Sequence, residues 1–304
     1  MKYVVIGSLN MDYNFKVESL PKKGETIPAQ GFTTSPGGKG ANQAASIARL
    51  GGEVLMIGAV GDDANGSILK ASMEEIGVVT ALNTVKTPTG NASITIDRNG
   101  DNTIIVYHGA NFDIDISWVK KYTDEIREAA FMILQLEIPL GTVVDCITLA
   151  NKLNTKVILN PAPAKELPDK IYPMVDIITP NETELSALTD IKVENLEDVS
   201  RAAHELLEKG VKNIVVTLGE HGCFYKNSKE ELFIKSFKVK AVDTTAAGDA
   251  FNGALAVALG EGKPIKDALK FSNAVGALTT LKLGAQRSLP SRQDVQNFIS
   301  KNIS

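Results

Sequence analysis

The sequence predicts an α/β protein: a doubly wound, mostly parallel sheet flanked by helices, with a small β-sheet lid. Three observations carry this reading. Strand-like runs alternate with helical segments through most of the chain, the pattern of a parallel sheet with crossover helices. The strand runs are continuously apolar, as strands covered on both faces are. One stretch breaks the rhythm: Asn91–Asp97 and Thr103–His108 alternate around Asn99-Gly100, the strongest short hairpin signal in the chain.

Taken in order, Tyr3–Gly7 is the first strand, ending in Gly7-Ser8 with Asn10 and Asp12 just beyond. Its apolar patch is too short for the core of a signal peptide. Asp12–Val17 alternates, and Pro21–Gly24 turns the chain. The loop Ser35–Gly40 leads into an Ala-rich helix, Ala41–Leu50, stopped by Gly51-Gly52. Strand Glu53–Val60, helix Ala64–Ile76 and strand Val78–Val85 follow. Asp12–Val17 and the hairpin fall outside the βα rhythm and are expected to form the lid, over about residues 11–36 and 90–109 of a single domain spanning 1–304.

Alternation then resumes. Strand Phe131–Leu136, helix Leu140–Leu153, strands Lys156–Asn160 and Val175–Ile178, helices Glu182–Leu188 and Leu196–Lys209, and strand Asn213–Leu218 come in turn. A second hairpin-like section, Gly222–Val239, precedes helices Gly248–Leu259, Ile265–Leu281 and Arg292–Ile299.

Composition narrows the function. A net charge of −4 with no long Lys/Arg block argues against nucleic acid or an anionic membrane as the main partner. No apolar run approaches the ~18 residues of a membrane span. Cys146 and Cys223 have no metal-ligand or CxxC partner, so a reduced, cytoplasmic protein is expected. His108, His204 and His221 lack catalytic settings.

Ligands of doubly wound sheets bind beyond the C-terminal strand ends, and the unusual polar residues gather there: Asn10, Asp12, Glu137, Asn160, Asn181, Thr217 and Asp243. Asn10 and Asp12 suit sugar hydroxyls but are also routine turn formers. Gly37–Gly40 fits neither a P-loop nor GxGxxG, although its glycines allow close approach of a ligand. Glu137 ends an apolar strand, where a carboxylate is either used or exposed. Asn181 and Glu184 fit a capping box, and the same geometry suits a metal role for Glu184. In Val242–Gly253 an extended segment precedes Ala246-Ala247-Gly248 and a helix. Small residues at a helix mouth leave amides bare for an anion, and Asp249 adds a candidate base in the same turn. A plain helix start fits that segment equally well.

Together these residues are recognisable. GSLNMD (Gly7–Asp12), GGKGANQA (Gly37–Ala44), GAVGDD (Gly58–Asp63), LQLEIP (Leu134–Pro139) and LNPAPA (Leu159–Ala164) run in order along the chain. TPNETE (Thr179–Glu184), VTLGEHG (Val216–Gly222), DTTAAGD (Asp243–Asp249) and GAQRS (Gly284–Ser288) continue the series. The chain resembles the ribokinase/PfkB family of sugar kinases over nearly its whole length. The resemblance implies ATP-dependent phosphorylation of the 5-hydroxyl of D-ribose, with Asp249 as base and Ala246–Gly248 as anion hole. It implies sugar contacts from Asn10, Met11, Asp12, Gly38, Lys39, Gly40, Ala41, Asn42 and Glu137. Nucleotide contacts are implied at Asn181, Thr217, Leu218, Gly219, Glu220, His221, Gly222, Gly248 and Asn273, with Glu184 tied to Mg²⁺. A K⁺ loop is implied at Asp243, Thr245, Thr279, Lys282, Gly284 and Ser288. The family often carries Arg at Lys282, but the contact there is through main-chain carbonyl. A homodimer joined through the lid sheets is also implied. Sister kinases for deoxyribose, a nucleoside or another sugar are the alternative, and a non-catalytic sugar-binding regulator is disfavoured by the intact Asp249. A dehydrogenase is excluded by the missing GxGxxG after the first strand.

Overall fold

The computed structural model describes residues 1–302. Its strands are β1 Lys2–Ile6, β2 Asn10–Lys16, β3 Gly31–Gly37, β4 Glu53–Gly61, β5 Val79–Val85, β6 Asn91–Ile96 and β7 Asn102–Tyr107, then β8 Phe131–Leu134, β9 Lys156–Leu159, β10 Ile177–Ile178, β11 Asn213–Thr217, β12 Gly222–Asn227 and β13 Glu231–Lys235. The α-helices are α1 Lys39–Arg49, α2 Ala64–Glu75, α3 Ile116–Val119, α4 Thr123–Glu128, α5 Leu140–Leu153 and α6 Glu182–Thr189. They continue with α7 Leu196–Glu208, α8 Ala247–Gly260, α9 Ile265–Thr279, α10 Ala285–Ser288 and α11 Arg292–Lys301.

Nine strands form one sheet in the order β13-β12-β11-β10-β9-β8-β1-β4-β5. All neighbours from β5 to β11 pair in parallel, while β12 and β13 add an antiparallel hairpin at one edge. Because successive strand side chains point to opposite faces, Tyr3 and Val5 enter one core layer with α1, α2, α8 and α9. Val4 and Ile6 enter the other, with α5, α6 and α7. Each fully buried Val, Leu or Ile contributes about 1.5–3 kcal/mol, so these two layers hold the sheet and leave its strand ends free for function.

The order of strands sets where function goes. From β1 the chain moves outward to β4 and β5, then returns to the other side of β1 with β8 and proceeds outward again. The connections therefore diverge between β1 and β8, which opens a crevice at their C-terminal ends. Ser8 and Asn10 leave one lip, and Gln135 and Glu137 leave the other.

The remaining four strands form a separate sheet, β3-β2-β6-β7, as expected for Asp12–Val17 and the hairpin. Strand β3 corrects the sequence reading, which placed a glycine-rich loop over Ser35–Gly40. Residues Gly31–Gly37 instead pair with β2, Met11 facing Pro36. β3 is an edge strand, so Pro36 forfeits no ladder bond on its free side. The chain turns at Gly38, whose φ of +92° favours glycine, and α1 begins at Lys39 rather than Ala41. A second correction concerns Val242–Thr245, which forms a bend and turn rather than a strand. Asp243 accounts for this: it accepts from the amide of Thr245 (2.9 Å) and makes the turn that feeds α8.

Candidate active site

Ala246 stands at the mouth of α8 in the left-handed region, with φ of 61° and no side-chain cap. The turn bonds the amide of Ala247 to the carbonyl of Thr244 at 3.2 Å. Among the described residues none accepts from the amides of Ala246, Gly248 or Asp249. Three bare N–H groups at the positive end of a helix of 14 residues could receive an anion, with that of Asp249 in place of the Ala247 amide that the sequence reading included.

Asp249, one turn in, is 7% exposed. Its Oδ2 accepts from Asn42 Nδ2 at 2.9 Å and its Oδ1 from Gln43 Nε2 at 3.1 Å. Burial pushes its carboxyl above the usual range, against the pull of Lys39 and of those two amides. Helix α1 comes this close because Gly253 has no side chain. A Cβ there would meet Ser46 Cβ at 2.6 Å and the Gln43 carbonyl at 2.9 Å.

On the crevice side, Asn10 is buried and its Oδ1 accepts from Asn111 Nδ2 at 2.8 Å. Glu137 Oε2 accepts from Ser8 Oγ (2.5 Å) and from the amide of Lys39 (3.2 Å), which ties α1 to both lips. Gly40 packs on the Gly7–Ser8 backbone, where a Cβ would lie 2.7 Å from Ser8 N. Met11 and Ala41 are core residues whose amides bond Gly90 O and Ser8 O, so neither their side chains nor their N–H groups are free for a ligand. Asp12 faces into this space with no hydrogen-bond donor among the described residues. Burial, reinforced by Glu137 and Asp249, pushes its carboxyl up to about 7. Lys39 is half-buried, and loss of water around it lowers its ammonium, but Asp249, Glu137 and Glu184 outweigh that and raise it.

Beyond Gly248 opens a cleft of about 890 Å³. Of the residues expected around a nucleotide, Asn181, Thr217, Gly219, Glu220, His221, Gly222, Gly248 and Asn273 line it. Leu218 is buried behind them and donates its amide to Gly222 O at 2.8 Å. The Asn273 amide is braced on β13, donating to Ile234 O at 3.0 Å. Asn181 and Glu184 do form the capping box of α6. Glu184 lies behind the cleft wall, its carboxyl raised by burial despite the bond from the Asn181 amide. One wall was not foreseen: Ser236–Val239 and Ala241, with Phe251, Ala277 and Thr280, close the cleft with a mixed surface that is apolar at Phe237, Val239, Ala241, Phe251 and Ala277.

Val242 and Asp243 donate their amides to Thr280 O, at 2.7 and 3.1 Å, which lays the turn before α8 on the end of α9. Asp243 also accepts from the amide of Gly284 at 2.9 Å. Burial alone would raise its carboxyl, but the bonds from Thr245 and Gly284 hold it below the usual range. The Thr279 and Ser288 hydroxyls bond carbonyls of their own helices, Val275 O and Ala285 O. The carbonyls of Asp243, Thr245 and Lys282 accept no backbone amide among the described residues. A set of free carbonyls beside an ionised carboxylate suits a weakly hydrated monovalent cation.

Sequence reasoning missed the residues that hold the site from behind. Asn111 pins the start of β2, accepting from Leu9 N at 2.9 Å. Gln43 and Gln135 join the Asp249 network. Their signal was present but faint: amides buried in otherwise apolar or alanine-rich segments, next to residues already singled out. Among the described residues no helix is long and apolar enough to cross a membrane.

The chain matches known proteins in sequence and in fold. The profile described as pfkB family carbohydrate kinase matches residues 1–292. Ribokinase of Haemophilus influenzae is 39% identical over 297 residues, covering 97% of each chain. Deoxyribokinase of Salmonella typhi is 35% identical over 305 residues, covering 99% of this chain and 100% of the relative. The structure of Arabidopsis thaliana ribokinase complexed with ribose and ATP matches with a TM-score of 0.92 at 34% identity, over 99% of both chains.

Proposed function

Because the chain belongs to the pfkB family of carbohydrate kinases, we propose that it transfers the γ-phosphoryl group of ATP to O5 of D-ribose. One observation carries this reading. Asp249 is buried, its charge coupled to those of Asp12 and Glu137 on the crevice side, and its chain neighbour Gly248 lines the cleft on the other. A primary hydroxyl is a poor nucleophile. Asp249 takes its proton as the O5–phosphorus bond forms and the bond from phosphorus to the departing ADP oxygen breaks. The free amides of Ala246, Gly248 and Asp249 face the charge that spreads over the transferred phosphoryl group, while that of Ala247, expected to join them, is bonded to Thr244 O. The small sheet acts as a lid, and holding both substrates in line under it with water excluded supplies much of the remaining advantage.

Magnesium entering with ATP would neutralise phosphate charge. No group of three or more His, Cys, Asp or Glu side chains gathers for a metal among the described residues, which fits an ion held mainly by phosphates and water, with Glu184 behind it. A potassium ion would be held by the free carbonyls around Asp243, Thr245 and Lys282, with Thr279, Gly284 and Ser288 alongside.

Asp12 favours ribose over deoxyribose, since a carboxylate grips vicinal ring hydroxyls. The relationship to a deoxyribokinase makes deoxyribose the specific competitor. A coupled ADP-release assay across ribose, deoxyribose, fructose and adenosine, with and without K⁺, separates them. Ribose should give the highest kcat/KM and K⁺ should raise it; preference for another substrate would overturn the assignment. The small sheet also leaves Ile104, Ile105, Val106, Tyr107 and Phe32 exposed. A second copy of the chain covers such a surface, so light scattering should report a dimer, and a monomer would refute this pairing.

A further inference from the structure

Two side-chain amides hold the Asp249 carboxylate, and they differ in what stands behind them. Asn42 ends the chain of bonds, for its Oδ1 has no partner among the described residues. Gln43 continues it. Its Nε2 also donates to Asn160 Oδ1 at 3.1 Å, and its Oε1 accepts from Gln135 Nε2 at 2.7 Å. Asn160 Nδ2 in turn donates to the Thr179 carbonyl at 3.0 Å. Gln43 and Gln135 are 0% exposed, so water does not compete for these bonds.

The orientation of each amide is forced by the ends of this chain. A carboxylate only accepts, so Gln43 must turn its NH₂ toward Asp249 and its oxygen toward Gln135. A backbone carbonyl only accepts, so Asn160 must turn its NH₂ to Thr179 and its oxygen to Gln43. Both ends demand the same arrangement. The Thr179 hydroxyl donates to Asn252 Oδ1 at 2.6 Å, and Asn252 Nδ2 donates to Gly248 O at 2.9 Å. One buried truss, rooted at the ends of β8, β9 and β10, therefore braces the carboxylate and the amide loop together.

We propose that Gln43 is the positioning residue for the base: anchored by Gln135 and Asn160, it fixes the plane of the Asp249 carboxylate and favours its ionised form. This rests on the reading of Asp249 as the base. The charged groups facing Asp249 are Lys39 from α1, Glu137 beyond β8, Glu184 from α6 and Asp12 from β2. Of these only Lys39 favours ionisation, so loss of a hydrogen-bond donor from a buried carboxylate is felt.

Gln43→Met keeps size and removes the donor. Its kcat should fall roughly 10- to 100-fold at neutral pH, and the acidic limb of the kcat profile should move up by about one pH unit, with KM for ribose within about threefold. Gln135→Met, which touches Gln43 but not Asp249, should shift the limb the same way by less. The double variant should be no worse than Gln43→Met, since both act through one contact. A lowered melting temperature with an unmoved limb and kcat within about threefold of wild type would make the truss purely structural and overturn the proposal. If Gln43→Met does not fold, Gln135→Met decides by the same limb. Asp249→Asn is measured in parallel. Near-normal turnover there overturns the base itself, whereas an inactive Asp249→Asn beside wild-type profiles for both glutamine variants overturns only the role of Gln43.

Discussion

Replacing Asp249 with Asn should lower kcat by roughly 10²–10⁴-fold, the scale of a lost general base, while the fold and ribose binding persist. The substitution preserves shape in a closely packed place: the helix mouth, the Gly253 contact with α1 and the amide loop are untouched. One of the two bonds from Asn42 and Gln43 can still be accepted by the Asn oxygen. What disappears is the carboxylate proposed to accept the proton of O5. Because an interaction made only in the transition state is removed, kcat and kcat/KM should fall together, with KM nearly constant. Steady-state kinetics of the variant, with ribose affinity from calorimetry, check this. Turnover near the wild-type rate would sink the assignment of Asp249.

Asp12→Ala should raise KM for ribose by roughly 10²–10⁴-fold, from the loss of two charge-assisted hydrogen bonds at about 1.5–3 kcal/mol each. The site is prepared for this carboxylate. Gly37 stands across β2 and β3 from it, and a Cβ there would strike its oxygens. In the sugar-free protein burial, with Glu137 and Asp249 nearby, raises it to about 7. The sign of the pH dependence follows. An ionised Asp12 accepts from two hydroxyls more strongly than the protonated acid, which turns one oxygen into a donor, so ribose should bind more tightly as pH rises from about 6 to 8, with release of a proton. For stability, the folded protein holds this proton up to about pH 7 and the unfolded chain only to about 3.9. The contribution of Asp12 to stability is therefore greatest below about pH 4 and is lost as pH rises through 7. Asp12→Asn should flatten both trends, and calorimetry with thermal melts at several pH values reads them. Equal ribose affinity of the wild type at pH 6 and 8 would contradict the argument.

Much of this site was legible because strand ends and helix mouths advertise themselves. Apolar runs alternating with helices placed Asn10, Glu137, Asn181 and Thr217 at one edge of the sheet, where the structure has them. The small residues before Asp249 marked a candidate anion cradle; the amides of Ala246 and Gly248 are free there, but that of Ala247 is bonded to Thr244 O. Strand β3 was hidden because glycines and Pro36 read as loop, and only pairing with β2 makes them a strand. Gln43 was hidden for a deeper reason. In an alanine-rich helix a glutamine looks like the solvated face, and it becomes a buried donor only because α8 carries Gly253 at the crossing, some 210 residues on. Asn181 and Glu184 remain doubly assigned in sequence and in structure alike, since a capping box and a ligand site use the same geometry.

The central claim is a phosphoryl group placed on O5 of ribose, and product identity tests it most directly. Phosphorus NMR of a reaction containing ribose, ATP, Mg²⁺ and K⁺ should show ATP converted to ADP and one new phosphomonoester coupled to the C5 protons of the sugar. A phosphate on another carbon, or ATP consumed without any sugar phosphate, would contradict the account.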